Sequence, residues 1–273
     1  MKQRTVFIIS DRTGITVEML SHSLLTQFPG IEFDYRILPF VDDETKIERT
    51  KTQINEVEAA TGVKPLVFTT LVNDNLRYQL FDANGEFFDF FDRYIAPLER
   101  ELQQTSSHRV GESHSMGDAK KYTTRIAAVN FSVHCDDGLH PSDYDRADVI
   151  LTGVSRSGKT PTSLYLALHF GLFTANYPIT DEELESSKLP EALQSHKAKV
   201  YGLTIDPVRL QQIRSERRAN SKYSELSQCR YEVAQVEQIY QAERLPNLNA
   251  TTKSIEEISA TIIQDLSLNR EIF

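Results

Sequence analysis

The chain has 273 residues, 40% of them hydrophobic and 25% charged, with a formal net charge of −9. That length suits one large α/β domain or two small ones. The acidic balance argues against nucleic acid as the main partner, since a protein that neutralises phosphates carries a basic surplus, and no apolar run approaches a membrane span.

The start, Met1-Lys2-Gln3-Arg4 and then Thr5-Val6-Phe7-Ile8-Ile9, is basic then apolar, but Asp11-Arg12 follow at once, unlike a signal peptide. Cys135 and Cys229 lie far apart and suggest no disulfide framework, so a reducing cytoplasm is expected. Val6 to Ser10 reads as a first strand ending in the turn Asp11-Arg12-Thr13-Gly14. A helix is expected over 16–28, with Val17, Leu20, Leu24 and Phe28 at helical spacing. Phe33 to Phe40 reads as a strand, Asp42 to Ala60 as a helix stopped near Gly62, and Pro65 to Val72 as a further strand. This alternation predicts an α/β fold with a largely parallel sheet covered on both faces. Sites in such sheets lie beyond the carboxyl ends of strands, where Asp11 falls; the alternative is a plain connecting turn.

The segment 85–102 holds Phe87, Phe88, Phe90, Phe91, Tyr94, Ile95 and Leu98 and reads as a helix that buries much aromatic surface. Gln103 to Gly117 is polar, with His108, Arg109 and His114, and reads as a lid or a boundary between domains at 1–105 and 118–273. Another helix is expected from Tyr122 to His134. His134, Cys135, Asp136 and His140 resemble a metal cluster on paper, but not at a tight zinc spacing, and no structural metal is expected. The other reading is a polar loop beside an active site. There the Asp136 and Asp137 carboxylates would help hold a nucleotide-bound Mg²⁺ or act as a base.

Gly153-Val154-Ser155-Arg156-Ser157-Gly158-Lys159-Thr160 fits the phosphate-binding pattern G-x-x-x-x-G-K-[ST] at every fixed position. The β-branched run Asp148 to Thr152 precedes it as a buried strand would, and Ser163 to Phe170 follows as a helix. Glycines let the loop curl so that backbone N–H groups face phosphate oxygens, and the helix N-terminus adds partial positive charge. Lys159 would reach the terminal phosphates and the Thr160 hydroxyl would hold Mg²⁺ or Mn²⁺.

Phe173 to Pro178 reads as a strand, and Thr180 or Asp181 as the cap of a short acidic helix. Lys199 to Asp206 is a strand ending in an aspartate. Asp206 reads as a second Mg²⁺ contact, as the cap of the next helix with Pro207 at its first position, or as both together. That helix carries Arg209, Arg214, Arg217 and Arg218. Helical spacing puts Arg217 on a face with Leu210 and Ile213, where it needs a carboxylate or a ligand phosphate. A long helix over 226–240, a strand over 246–249 and a final helix opened by the capping box Ser254-Ile255-Glu256-Glu257 complete the chain.

Three blocks together resemble one family: Ile9 to Thr16, Gly153 to Ala167, and Tyr201 to Pro207 with the arginine helix after it. The sequence is similar over nearly its whole length to the bacterial phosphoenolpyruvate synthase regulatory proteins, described as bifunctional serine/threonine kinases and phosphorylases. The resemblance implies that ADP phosphorylates a threonine of phosphoenolpyruvate synthase and inactivates it. Inorganic phosphate then reverses this, releasing pyrophosphate. It also implies nucleotide binding at Gly153 to Thr160 in a P-loop kinase-like C-terminal half. The residues suggest Asp137 or Asp11 as the base and Lys159 with Arg217 as an anion pocket. Pyruvate, phosphate dikinase as the target, an ATP-dependent small-molecule kinase and a nucleotide switch are the competing readings, and a homodimer is left open.

Overall fold

Val6, Phe7, Ile8 and Ile9 are each at most 1% exposed, as a parallel strand covered on both faces must be. They belong to β1 (Lys2–Ile9), which lies between β2 (Ile31–Leu38) and β3 (Leu66–Thr69); β4 (Glu86–Asp89) completes a sheet in the order β2-β1-β3-β4. Every pair is parallel. This is a computed structural model that describes residues 2–107, 119–186 and 188–268. The chain divides into two units, Met1–Ser115 and Met116–Phe273. The expected lid residues His108, Arg109 and His114 lie outside the described residues.

In the N-terminal unit, the alternation of β1 sends Phe7 and Ile9 to one core with Ile47, Ile54, Leu76 and Leu80. Those partners come from α2 (Glu44–Thr61) and α3 (Asp74–Phe81). Val6 and Ile8 face the other side, against Phe68 and against Val17 and Leu25 of α1 (Ile15–Leu25). Asp43 caps α2 by accepting from the Lys46 N–H, and Gly62 ends it at φ 68°, a left-handed conformation that costs glycine little.

One expectation is corrected here. The aromatic segment is not a single helix: Glu86–Asp89 is a strand on β3, and α4 (Phe90–Leu102) starts after it. The Asp89 carboxylate accepts from the Asp92 N–H and so fixes the start of the helix. Phe88 and Phe90 both stack on Phe68, so the sheet, not the helix, takes up these rings. Along α4 no residue is buried, and Tyr94 and Leu98 are 62% and 54% exposed.

The C-terminal unit opens with α5 (Ala119–His134) and builds a second all-parallel sheet. Its strands are β5 (Val149–Gly153), β6 (Thr174–Pro178), β7 (Val200–Thr204) and β8 (Asn247–Asn249), in the order β6-β5-β7-β8. Between them run α6 (Lys159–Phe170), α7 (Asp181–Glu185), α8 (Glu191–Gln194), α9 (Pro207–Arg217) and α10 (Leu226–Glu243), and α11 (Ile255–Asp265) follows β8. Val149 and Leu151 pack with Leu166 of α6 and with Ile258 and Ile262 of α11. Ile150 faces the opposite core, with Leu210 of α9 and Val233 and Val236 of α10. Thr180 and Ser254 form capping boxes at the starts of α7 and α11. Among the described residues no helix is long and apolar enough to cross a membrane.

Candidate active site

From β5 the chain returns through α6 to β6 on one side, and β7 lies on the other. The order of strands therefore reverses between β5 and β7, the place where open parallel sheets form a crevice at their carboxyl ends. The segment from Gly153 to Lys159 leaves β5 at that point. Gly153 has φ 147°, and a Cβ there would stand 2.3 Å from the Leu203 carbonyl oxygen on β7. Tyr240 of α10 closes the same corner, donating its hydroxyl to the Thr152 carbonyl at 3.0 Å. The first glycine of the motif is thus required by packing as well as by loop curvature. Gly153→Ala is expected to cost about 2–4 kcal/mol and to lower the melting temperature by roughly 10 °C. An unchanged thermal melt would contradict this account of the corner.

Further along the loop, Arg156 has φ 76° and Gly158 φ 94°. Gly158 precedes α6 and offers no side-chain cap, so the helix leaves its first N–H groups free for an anion. Lys159 is 4% exposed, and its ammonium donates to the Val154 carbonyl oxygen at 2.8 Å. Burial pushes this ammonium down to about 8, against the Asp137 and Asp136 carboxylates, which hold it up.

Thr160 donates its hydroxyl to Asp136 Oδ1 at 3.1 Å. The Asn176 amide of β6 donates to Thr160 Oγ1 at 2.9 Å and also to Asp136 Oδ1. Asn176 is fully buried, and its own Oδ1 has no hydrogen-bond partner among the described residues. Asp136 and Asp137 sit in the turn Asp136–Gly138 after α5, with Asp137 itself at φ 49°. Threonine hydroxyl and carboxylate are hard oxygen donors of the kind that Mg²⁺ takes alongside phosphate. The donor set therefore fits a nucleotide-bound divalent cation.

Several expected residues fall elsewhere. Asp206 Oδ1 accepts from the N–H groups of Val208 and Arg209, with Pro207 opening α9, so this carboxylate is a helix cap. It is Asp136, not Asp206, that is bonded to Thr160. Arg217 is exposed; the arginine on the inner face of α9 is Arg214, four residues on from the buried Leu210 and itself 1% exposed. Its partner Glu232 on α10 makes that burial tolerable, accepting from Nη1 at 2.9 Å and Nη2 at 2.6 Å. Asp11 belongs to the N-terminal unit. There it helps line a small cavity with Ser10, Thr13, Gly14 and Thr70, and Oδ2 accepts from the Val72 N–H at 2.9 Å. Burial raises its carboxyl above the usual range, partly offset by that hydrogen bond.

His134, Cys135, Asp136 and His140 do not converge. The His134 ring stacks on His140 with centroids 3.7 Å apart and bonds Asp143 through Nε2 at 2.9 Å. Cys135 is fully buried, its thiol pushed up to about 11 by burial. Sequence reasoning did not identify Asn176, Arg214, Tyr223 or Glu232. The available signals were a polar residue within an apolar strand and a carboxylate between Cys229 and Val233 on the inner face of α10.

Strand, glycine loop and helix at a switch point, with Asp136 of a neighbouring turn bonded to the loop's threonine, define a P-loop kinase-like α/β fold. Residues 6–263 match the model of the Kinase/pyrophosphorylase family. The chain belongs to that family. It is 51% identical over 271 residues to a protein of Alkalilimnicola ehrlichii, covering 99% of this chain and 98% of the other. A Halorhodospira halophila protein is 52% identical, with 98% of each chain covered. One from Legionella pneumophila is 48% identical, with 99% of this chain and all of the other covered. All three carry the provisional name phosphoenolpyruvate synthase regulatory protein.

Proposed function

We propose that this protein regulates phosphoenolpyruvate synthase by reversible phosphorylation of a threonine on that enzyme. In the inactivating direction the β-phosphoryl group of ADP passes to the threonine hydroxyl and AMP leaves. In the activating direction inorganic phosphate attacks the phosphothreonine and departs as pyrophosphate, restoring the hydroxyl. The observation that carries this reading is that the glycine loop lies against the Asp136–Gly138 turn, with Thr160 bonded to Asp136 and Lys159 in the field of the Asp136 and Asp137 carboxylates. The names of the relatives supply the target.

Each residue has a distinct task in this scheme. Backbone N–H groups of 153–160 bind the two phosphates of ADP, and Lys159 swings from the Val154 carbonyl to the transferring phosphoryl group. Thr160 and Asp136, oriented by Asn176, would hold Mg²⁺ or Mn²⁺, which when bound offsets phosphate charge. Asp137 is exposed, and its carboxylate partly opposes the burial that disfavours the Lys159 ammonium. It would accept the proton of the incoming threonine. Both thiols are buried and unpaired, in keeping with a reducing cytoplasm.

A donor experiment tests the proposal. The full chain, Mg²⁺ and phosphoenolpyruvate synthase are incubated with ADP labelled on the β-phosphate or ATP labelled on the γ-phosphate, free of adenylate kinase. Label on a target threonine from ADP alone is the expected result, and added phosphate should then release labelled pyrophosphate. Absence of transfer from ADP to the synthase would overturn the assignment. A parallel arm with pyruvate, phosphate dikinase would show whether the target alone is wrong.

A further inference from the structure

Ser155, the third residue of the loop, is held from outside at two atoms. Arg214 Nη2 donates to its carbonyl oxygen at 3.1 Å, and its Oγ lies 3.0 Å from the Tyr223 hydroxyl. Arg214 has little freedom of its own. Its two terminal nitrogens fork onto Glu232, Nη1 also donates to the Tyr223 carbonyl at 3.1 Å, and the guanidinium stacks 4.2 Å from the centroid of the Tyr223 ring. Glu232 is 7% exposed and is further fixed by the Gln228 amide at 3.0 Å. Such a fork is rigid in a way that a lysine is not.

A trans peptide is planar, so its C=O and N–H point in opposite directions. Turning the Ser155 carbonyl toward Arg214 turns the Arg156 N–H away from that guanidinium. The next residue carries the strain of that choice, since Arg156 is a non-glycine residue at φ 76°. The neighbouring Val154 carbonyl is held in the same manner by Lys159. That lysine must leave when it engages a phosphate; Arg214, tied to Glu232 and Tyr223, stays.

We infer that Arg214 is a positioning residue that keeps the Arg156 N–H aimed into the phosphate cradle before and during nucleotide binding. It touches no phosphate itself. The inference rests on the nucleotide-binding reading above and adds the part that pre-organises the loop, so that the ordering is not paid for on binding. It also assigns a function to the buried Arg214–Glu232 pair. An ion pair in that position has weak grounds as a source of stability alone, because desolvation offsets its attraction.

The test uses the full-length protein and MgADP. Arg214→Met alone would strand a buried carboxylate, so the informative variant is the double Arg214→Met/Glu232→Leu, which removes both charges together. Calorimetry gives Kd, a ¹H–¹⁵N spectrum follows the Arg156 amide, and a thermal melt reports the fold. In the wild type, ADP should bind and shift the Arg156 amide strongly. In the double variant the melt should move little, ADP should bind at least about tenfold more weakly, and the Arg156 shift should disappear. ADP binding within twofold of wild type with the Arg156 shift retained would overturn the inference and leave the proposed function standing. Failure of the wild type to bind ADP would overturn the nucleotide reading, and the inference with it. Should the double variant not fold, Arg214→Lys gives the same decision: its single ammonium cannot hold carboxylate and carbonyl together, so weakened binding supports the inference and unchanged binding overturns it.

Discussion

Lys159→Met is expected to slow the proposed phosphoryl transfer in both directions by on the order of a thousandfold, while the protein remains folded. Lys159 is 4% exposed, and its charge is held in place by one carbonyl and the field of two carboxylates. Removing a charge that burial disfavours relieves the folded state of a desolvation penalty, and methionine fills similar volume. Function loses far more, because the charge developing on the transferring group has lost its nearest cation. The pH dependence of the wild type checks the same group independently. Below about 8 the free protein already carries the ammonium. Above that value a proton must be taken up on binding, because bound phosphates raise the lysine pKa again. ADP affinity should therefore fall by roughly tenfold per pH unit above about 8, and Lys159→Met should flatten the profile. Calorimetry in buffers of different ionisation enthalpy measures the proton uptake directly. A variant that retains transfer within tenfold of wild type would remove Lys159 from the reaction.

Asp136→Asn is expected to lower transfer by on the order of a hundredfold and to raise the Mg²⁺ concentration needed for half-maximal rate. Asparagine keeps an acceptor oxygen for Thr160 and nearly the same shape, so the variant removes charge with little change in packing. Transfer measured across a Mg²⁺ titration separates this from a folding defect, which would lower the rate at all concentrations. Asp206→Asn provides the contrast. Asparagine caps a helix as well as aspartate, and the Asp206 carboxylate is engaged in capping α9. Its Mg²⁺ dependence should match wild type. The reverse pattern, with Asp206→Asn shifted and Asp136→Asn normal, would exchange the two carboxylates in the scheme.

The failed expectations share a cause. Helical spacing placed Arg217 with Leu210 and Ile213, and these positions do lie within one angular sector. Spacing does not say where the neighbouring helix stops covering that sector. Arg214, four residues on from Leu210, meets Glu232 on α10, whereas Arg217, seven residues on and in the last turn, is exposed. The aromatic segment failed for a similar reason. Phe87 and Phe88 alternate as a strand does, but the run is too short to separate from the helix behind it until β3 offers a pairing edge.

Local chemistry by itself determined a good deal of this protein. The alternation of strands and helices, the capping boxes at Thr180 and Ser254, the Asp206-Pro207 helix start and the glycine loop between β5 and α6 all follow from short-range sterics and hydrogen bonding. Those forces act within a few residues, so the chain displays them in order. The tertiary structure alone decided which carboxylate faces Thr160, that Asn176 lies beneath them, and that Arg214 reaches Ser155 across 59 positions of sequence. Those pairings depend on strand order and on the packing of α9 against α10. Burial makes them specific, because in a low-dielectric interior a charge must find its partner wherever the fold has brought it.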